Sequence, residues 1–369
     1  MKLSENSRRE FLSKAVMASS AGLASVKFGM LANAVIGEEA APGAILPERE
    51  ADYTLRIGAA ALEIGKNRIV SAVTYNGQFP GSLLRFKEGQ PVVVDAHNDS
   101  DTPEQLHWHG QFVSTDVDGT AEEGAPYIPA RGMRRIEFMP RPAGLRSYHT
   151  HNRAGADLHA GQYSGQVGAV YIEPKTEPGN YDREAFLVLK EFEPSLSLGG
   201  DMAMDFLAPA EEVKELKDTG ESEMKASLAK GMPHGYEVGY RYFTINGKML
   251  GHGEPARVKR GERVLFHVVN GSATEIRSLA PPGHVFTVMA LENAVPIPVE
   301  VPLLWLGTAE RISAIVEMKN PGVWVMGDLA DDDLGHGMGI VVEYARHHGK
   351  AQWVAPKPFH WNYLRFGKA

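Results

Sequence analysis

The chain of 369 residues is 43% hydrophobic and 23% charged, which predicts a folded protein with at least two domains. Its formal net charge of −8 argues against nucleic acid or anionic lipid as a partner. The chain contains no cysteine, which excludes disulfides, thiolate zinc sites, iron–sulfur clusters, cysteine nucleophiles and any copper site built on a thiolate. Its 39 glycines and 23 prolines favour a β-rich, turn-rich fold.

Residues 1–34 predict an export signal. Arg8 and Arg9 precede a mildly apolar stretch, 15–25, and the segment ends at Ala32-Asn33-Ala34. This order is typical of a twin-arginine signal peptide, and an exposed amphipathic helix is the alternative. The apolar stretch is too short to cross a bilayer, and no other segment approaches the roughly 18 unbroken apolar residues that a span needs. We therefore expect no membrane span and a periplasmic or otherwise exported protein.

The body of the chain contains two copies of one sequence unit. Three pairs of segments match in the same order: 86–100 with 258–272, 144–151 with 322–329, and 168–171 with 339–342. An Asn-Gly turn precedes the first segment of each copy and favours a hairpin. Short strands at regular spacing, separated by Gly and Pro turns, predict an all-β fold in which each copy is a β-sandwich.

We place the two copies at residues 48–176 and 239–345. The charged segment between them, 177–238, predicts a linker with one or two helical turns. Five aromatic residues in the tail, 346–369, are expected to pack against a domain or subunit surface. These aromatics are Trp353, Phe359, Trp361, Tyr363 and Phe366.

Four histidines form two His-x-His pairs in the first copy: His107 with His109, and His149 with His151. Residues two apart in a strand point to the same face, so each pair presents two imidazoles in one direction. Two such strands side by side would surround one cavity with four imidazoles, a donor set that suits copper or another borderline metal. Surface histidines are the alternative, since a single His-x-His often occurs by chance, but two pairs in one domain favour a metal site.

These pairs and their surroundings resemble the first cupredoxin domain of multicopper oxidases. The matching segments are Tyr75-Asn-Gly-Gln-Phe-Pro-Gly81, His107-Trp-His-Gly110, Asp118-Gly119 and Tyr148-His-Thr-His151. The resemblance extends over the chain after residue 34 in the two-domain form of the family. It implies two cupredoxin-like Greek-key β-sandwich domains joined by a partly helical linker. In the family, the histidine matching His107 binds the type 2 copper, and those matching His109, His149 and His151 bind the type 3 pair.

The second copy departs from the family pattern. Gly327, Asp328 and Leu329 stand where the family has His-Cys-His, and Asp333 replaces a later histidine. Three further ligand positions hold other residues, namely Arg277, Ala280 and Pro282. The resemblance therefore implies that the type 1 copper and four of the eight cluster ligands are missing. Four-electron reduction of O₂ by the family's usual route is then not expected.

Three residues outside the two His pairs are candidates for proton transfer: His159, Asp328 and Asp333. His159 lies at the spacing from His149 at which the related copper nitrite reductases carry a type 1 ligand, and a surface histidine is the alternative. Asp328, the run Asp331–Asp333 and His336 fall where the second domain's copper ligands would be. In the family's trimers this region faces the first-domain histidines of a neighbouring subunit, so it would line that site or form a solvated acidic loop.

These observations predict an exported copper-dependent oxidoreductase without type 1 copper. One copper per chain, or two, would bind to His107, His109, His149 and His151. We expect a homotrimer that acts on a small molecule or a metal ion. The alternative is a non-catalytic periplasmic copper-binding or scaffold protein derived from a multicopper oxidase.

Overall fold

The computed structural model describes residues 49–152, 160–175, 179–192 and 240–367. Nearly all of the regular structure in these residues is β-strand, so the predicted all-β fold is confirmed. The predicted signal peptide, His159 and most of the predicted linker lie outside the described residues. Among the helices that are described, none is long and apolar enough to cross a membrane.

Eight strands form the first sandwich: β1 Tyr53–Gly65, β2 Arg68–Tyr75, β3 Gly81–Lys87, β4 Val92–Asn98, β5 His107–His109, β6 Met133–Phe138, β7 Gly144–His149 and β8 Val167–Glu173. They pair in two sheets, ordered β2-β1-β4-β6 and β3-β8-β7-β5. Both sheets contribute side chains to one apolar core, which includes Leu55, Phe86 and Trp108. The loop after β5 contains a short helix, α1 Thr115–Asp118, and a 3-10 turn, Ala121–Glu123. A second 3-10 turn, Gly161–Tyr163, precedes β8.

The other strands form the second sandwich: β9 Arg183–Phe192, β10 Tyr242–Ile245, β11 Ala256–Val258, β12 Arg263–Asn270, β13 Arg277–Leu279, β14 Phe286–Leu291, β15 Asn293–Val301, β16 Leu304–Leu306, β17 Arg311–Glu317, β18 Val323–Gly327 and β19 Gly339–Tyr344. Their sheets have the orders β10-β9-β12-β17-β14-β15, β11-β19-β18 and β13-β16. A short helix, α2 Asp331–Gly335, and a 3-10 turn, Tyr363–Arg365, complete this half. The core includes Phe266, Phe286 and Met326, and Phe366 from the aromatic tail is buried against it.

The repeat seen in the sequence is also a repeat of strand pairing. In the first sandwich β4 lies between parallel β1 and antiparallel β6, and in the second β12 lies between parallel β9 and antiparallel β17. Likewise, β8 lies between β3 and β7 as β19 lies between β11 and β18. Asn76 and Asn246 begin equivalent two-residue turns with φ angles of 57° and 54°, a backbone conformation that Asn-Gly accepts readily. The matching segments therefore occupy matching places in the two halves.

Strand β9 corrects the predicted linker, 177–238, because Arg183–Phe192 belongs to the second sandwich. Its run Phe186-Leu187-Val188-Leu189 is apolar at every position, as expected of a strand that is covered on both faces. Leu187 and Leu189 face the core of the second sandwich. Val188 and Phe192 face a third core. The charged residues that follow β9 dominate the composition of the segment and concealed this strand in the sequence.

This third core joins the two sandwiches. It combines Ile64, Phe79 and Leu145 from the first half with Phe192 and Val269 from the second. Burial of these side chains removes apolar surface of both halves from water, so the described residues form one compact unit. An ion pair also crosses the junction, in which Arg85 Nη1 lies 2.8 Å from Glu184 Oε2.

Four charged side chains are clustered inside the second sandwich. Arg277 donates to Glu191 Oε2 at 3.0 Å and to the carboxylate of Asp333, and the buried Lys190 Nζ lies 3.7 Å from Glu191 Oε1. Burial alone would raise the pKa of Glu191, but Lys190, Arg277 and hydrogen bonds from Ser272 and the backbone lower it to about 2. Each buried charge is therefore paired, as it must be to offset its loss of hydration.

Replacement of Arg277 by methionine should destabilise the fold by about 3 kcal/mol, because it leaves Glu191 and Asp333 without their common partner. The matched control is Arg56→Met, since the Arg56–Asp99 pair is half exposed and should contribute less than about 1 kcal/mol. The free energy of unfolding is measured by urea titration at pH 7. Equal losses in the two variants would contradict a structural role for the buried cluster.

The junction pair should also make stability depend on pH. The close approach of His267, whose Nε2 lies 3.7 Å from Oε1, and the contacts with Arg85 outweigh burial and lower the pKa of Glu184 from 4.5 to about 2. A carboxylate with a lowered pKa stabilises the fold above pH 4.5, and this contribution is lost as the pH falls towards 2.

Glu184→Gln should therefore be less stable than the wild type by roughly 2 kcal/mol at pH 7, and the difference should shrink below pH 4.5. Urea titrations at several pH values measure the difference. Glu173→Gln, which removes the more exposed partner of the same arginine, should show a smaller effect. A difference for Glu184→Gln that is independent of pH would refute this assignment.

Candidate metal centre

The pairing of β5 with β7 brings the two His-x-His motifs together. His107 lies opposite His149 in the antiparallel ladder, and the side chains of His107 and His109 emerge on the same face of β5. The ring centroid of His107 lies 5.1 Å from that of His149 and 4.8 Å from that of His151. The ring centroids of His109 and His149 are 5.2 Å apart. The four predicted ligands therefore form one group.

Three of these histidines bring their ring nitrogens close together. One ring nitrogen each from His107, His109 and His149 lies within 4.8 Å of the other two. His151 borders this group through ring contacts, stacking on His149 with a centroid distance of 5.6 Å. The structure thus gives a three-nitrogen cluster with a fourth imidazole at its side.

The orientation of His107 is fixed by the loop that contains α1. Its Nδ1 donates to the backbone oxygen of Asp118 at 2.9 Å, and the carboxylate Oδ2 of Asp118 lies 3.2 Å from the same nitrogen. Thr120 donates to this carboxylate at 2.6 Å. The loop requires glycine at position 119, where φ is 84° and a Cβ would lie 1.9 Å from the backbone oxygen of Leu106. With Nδ1 occupied, Nε2 of His107 is the nitrogen left for a metal.

The orientation of His149 is also fixed by a hydrogen bond to the backbone. Its Nδ1 donates to the backbone oxygen of Thr150 at 2.8 Å, so its Nε2 accepts a hydrogen bond from Nδ1 of His109 at 3.0 Å. Behind this residue the hydroxyl of Thr150 donates to the buried carboxylate of Glu104 at 3.2 Å. Burial raises the pKa of Glu104, and its hydrogen bonds oppose that shift. The backbone and Glu104 therefore determine which nitrogen of His149 faces the group.

The surroundings of the site favour neutral imidazoles. Burial is the main cause that lowers the pKa of His109 to about 2 and that of His149 to about 3. The positive charge of Arg311 adds to the effect on both. Burial also lowers the pKa of His107, although Asp118 opposes this shift. A neutral imidazole keeps the lone pair that binds a metal, so the three rings are in the state that coordination needs.

Arg311 comes from the second sandwich and lies against the site of the first. Its guanidinium packs on the backbone of Gly110, where a Cβ would lie 2.4 Å from Nη2. It is buried, and Nη2 lies 3.0 Å from Glu292 Oε1. Glu292 in turn accepts a hydrogen bond through its backbone oxygen from the buried Arg146 of β7. The charge next to the histidines is therefore set by contacts across the junction of the two sandwiches.

The donor set fits copper on geometric and chemical grounds. Metal–nitrogen bonds of about 2.0 Å at 90–110° separate neighbouring ligand nitrogens by roughly 2.8–3.3 Å. His109 Nδ1 and His149 Nε2, which share a hydrogen bond of 3.0 Å, already lie at this separation, so an ion would replace the proton between them. An all-imidazole set suits copper or zinc better than the hard ions calcium and magnesium, which prefer oxygen.

The equivalent place in the second sandwich has a similar backbone and no imidazole. Ala280 and Gly327 form a two-way backbone bridge at the positions that match His107 and His149 in the repeat. The other two matching positions hold Pro282 and Leu329. The half-buried His284 donates from Nδ1 to the backbone oxygen of Pro282 and accepts at Nε2 from the hydroxyl of Tyr344, as a structural histidine would.

The other predicted site residues are not brought to the histidines within this chain. Asp328 is buried and accepts a hydrogen bond from the hydroxyl of Ser278 at 2.6 Å, and Asp333 pairs with Arg277. His336 is exposed, and its ring is parallel to that of Phe243. His159 lies outside the described residues. Within one chain, the carboxylates of Asp328 and Asp333 therefore bind polar groups inside the second sandwich.

Sequence reasoning missed three residues that adjoin the site: Glu104, Arg146 and Arg311. No local pattern marks them, since each is a single charged residue within or beside an apolar strand. Asp118 was part of a recognised motif, but its role in orienting His107 needed the folded loop.

Two family models match the chain, and both describe a multicopper oxidase. One matches residues 57–177 and the other residues 212–343. Among the curated relatives, Multicopper oxidase MmcO of Mycobacterium tuberculosis is 28% identical over 295 residues, which cover 77% of this chain and 55% of the relative. A Copper resistance protein A homolog of Pseudomonas syringae is 26% identical over 325 residues, covering 83% of this chain and 54% of the relative. The chain therefore spans about half the length of these relatives.

Solved structures share the fold. The Blue Copper Oxidase from Nitrosomonas europaea superposes with a TM-score of 0.62 at 21% identity, covering 79% of this chain and 85% of that one. The copper nitrite reductase from the same organism gives a TM-score of 0.61 at 17% identity, covering 80% and 93%. At these identities the likeness concerns the fold alone, and it agrees with two cupredoxin-like sandwiches. The two family models, which together match most of the chain, show that it belongs to the multicopper oxidase family.

Proposed function

We propose that this chain is an exported, copper-dependent oxidoreductase that has lost the type 1 copper of its family. Its remaining centre is built only from histidines of the first sandwich. The observation that carries the proposal is the cluster of His107, His109 and His149, whose ring nitrogens lie within 4.8 Å of one another. His151 is the fourth proposed ligand, and one copper per chain, or two, is the expected content.

Neighbouring residues of this chain orient the proposed ligands and keep them unprotonated. The backbone oxygens of Asp118 and Thr150 hold the Nδ1 protons of His107 and His149, so both Nε2 atoms face the proposed metal. At His149 the metal would replace the hydrogen bond from His109. Burial and the charge of Arg311 keep the rings unprotonated. Copper bound there would supply one-electron redox chemistry at a centre with partly exposed ligands. The carboxylate of Asp118, 3.2 Å from Nδ1 of His107, would keep this ring oriented and would favour positive charge at the centre.

Loss of the type 1 copper is supported by the composition of the chain and by the second sandwich. A type 1 site needs a cysteine thiolate, and the chain has no cysteine. Arg277, Asp328 and Asp333 stand at positions of the missing ligands, and all three are engaged in hydrogen bonds or ion pairs with other protein groups. A substrate would then have to deliver electrons directly to the histidine centre, which favours a small molecule or a metal ion. The relatives named for copper resistance make a copper ion one candidate.

A non-catalytic copper-binding protein is the second candidate. It is favoured by the second sandwich, where Ala280 and Gly327 stand at the positions of His107 and His149. The strands still pair there although the imidazoles are absent from these positions. Copper binding is common to both candidates, so only turnover separates them. The route of export, by the twin-arginine pathway, follows from residues 1–34 and is part of the proposal.

The copper-loaded full chain should consume O₂ with a phenol, Fe²⁺ or Cu⁺ as electron donor, and it should show no intense blue absorption, because it lacks a thiolate ligand. We expect one tightly bound copper per chain, with a second at most. The double variant His107→Ala/His149→Ala should lose both the copper and the turnover. Metal content after dialysis against a weak chelator and O₂ uptake are the two measurements.

His348→Ala is the control for this experiment, because His348 is an exposed histidine far along the chain from the cluster, and it should change neither quantity. Full copper content without O₂ uptake would favour the non-catalytic candidate. Unchanged copper content in the double variant would reject the histidine centre altogether.

We further propose that the functional unit is a homotrimer in which Asp328 and the run Asp331–Asp333 of one subunit approach the histidines of the next. Light scattering should then give three chains per particle. Asp328→Asn keeps an acceptor for Ser278, but it should lower copper affinity by roughly 10–100-fold, the usual cost of losing a carboxylate beside a metal ligand. A monomer with full copper occupancy, or an unchanged affinity, would exclude the shared site.

A further inference from the structure

A cavity of about 220 Å³ lies at the junction of the two sandwiches, apart from the histidine cluster. The first sandwich contributes Gly144 and Tyr171 to its wall, and the second contributes Leu265, Met289 and Ile315. An engineered cavity of about 150 Å³ binds benzene, which has six non-hydrogen atoms. At the same volume per atom, this cavity has room for about nine non-hydrogen atoms. The wall is mainly apolar, which suits an uncharged ring.

One polar pair interrupts this apolar wall. His267 and Ser313, both buried, line the cavity, and Ser313 Oγ lies 2.8 Å from His267 Nδ1. On the other side of the imidazole, Nε2 lies 3.7 Å from Glu184 Oε1. The ring is held between Phe186, with a centroid distance of 4.6 Å, and Tyr171, at 4.7 Å. The pair is thus fixed in position rather than free to turn away from the cavity.

The hydroxyl of Ser313 determines what this pair can recognise. It has one proton and two lone pairs, so Oγ keeps a free lone pair whichever atom donates in its bond with His267 Nδ1. Among the contacts of the described residues, this is the one hydrogen bond of the Ser313 hydroxyl. Its oxygen therefore keeps acceptor capacity towards the cavity, which a ligand with a hydrogen-bond donor can use.

Two irregularities of the backbone lie in the same wall. β14 contains a bulge between Val288 and Ala290, opposite Ser313, and Met289 and Ala290 both line the cavity. Glu292, another lining residue, has a φ angle of 59°, which is rare for a residue with a side chain. Bulges and such conformations are concentrated where a side chain must be aimed at a ligand. The carboxylate of Glu292 also opposes entry of an anion.

From these observations we infer that the cavity is a binding site for a small, uncharged ring compound with one hydrogen-bond donor, which Ser313 Oγ accepts. The site needs no copper, so it is independent of the proposed oxidoreductase activity. Neither sandwich alone forms the site, because its wall includes strands from both.

Indole and indene test this site, because both have nine non-hydrogen atoms and only indole carries an N–H donor. Calorimetric titration of the full chain, with and without copper, should give one indole per chain with a Kd below about 1 mM. Indene should bind at least tenfold more weakly. Ser313→Ala should reduce indole affinity about tenfold and leave indene unchanged, since it removes only the acceptor. Ser71→Ala, on the surface strand β2, is the matched control and should change neither affinity.

Two further variants test the location. Ala290→Leu fills the cavity, and Ala294→Leu narrows it at an exposed position where the added side chain cannot disturb the core. Both should abolish binding of both compounds, with near-ultraviolet circular dichroism to verify the fold. Absence of indole binding to the wild type, or binding that Ala294→Leu does not change, would overturn the site. Equal affinities for indole and indene would overturn recognition of the donor.

Discussion

The antiparallel pairing of β5 with β7 is the constraint on which the metal centre depends. In this ladder Trp108 lies opposite Tyr148, and both side chains are fully buried in the core of the first sandwich. Side chains alternate between the two faces of a strand, so burial of these aromatics turns the flanking histidines to the other face. A slip of one residue would bury imidazoles and expose the aromatics. The apolar core therefore sets the register of the histidines.

The two sandwiches share the same pattern of strand pairing but bury different side chains. In the first, the paired strand ends present histidines that burial and Arg311 keep neutral. In the second, the matching ends are joined through Ala280 and Gly327, and the nearby interior holds the Arg277–Glu191–Asp333 cluster instead. Imidazoles that lose a metal can remain neutral, whereas buried charges must be balanced by opposite charges. The charges of the second interior thus balance one another, whereas the first interior holds neutral rings whose nitrogens can coordinate an ion.

The junction between the sandwiches links the parts of the molecule that carry chemistry. The third core and the Arg85–Glu184 pair hold the halves together. Across the same surface, Arg311 of the second half packs on Gly110, next to the histidines of the first. Glu292, which pairs with Arg311, also lines the interdomain cavity. A change in how the halves pack would therefore alter both the electrostatics of the metal centre and the shape of the cavity.

The sequence by itself determined the all-β class, the duplication and the two His-x-His pairs, because period-two alternation, Asn-Gly turns and repeated segments are local signals. It also determined, through the lack of cysteine, which copper chemistry is ruled out. It did not reveal β9, whose apolar run precedes a charged segment and becomes a strand only by pairing with distant β12. Nor did it place Arg311, Glu104 or the Ser313–His267 pair, and only the tertiary structure showed that Asp328 and Asp333 bond to Ser278 and Arg277. The physical reason is that burial and charge pairing act between residues far apart in the chain, and no local pattern records them.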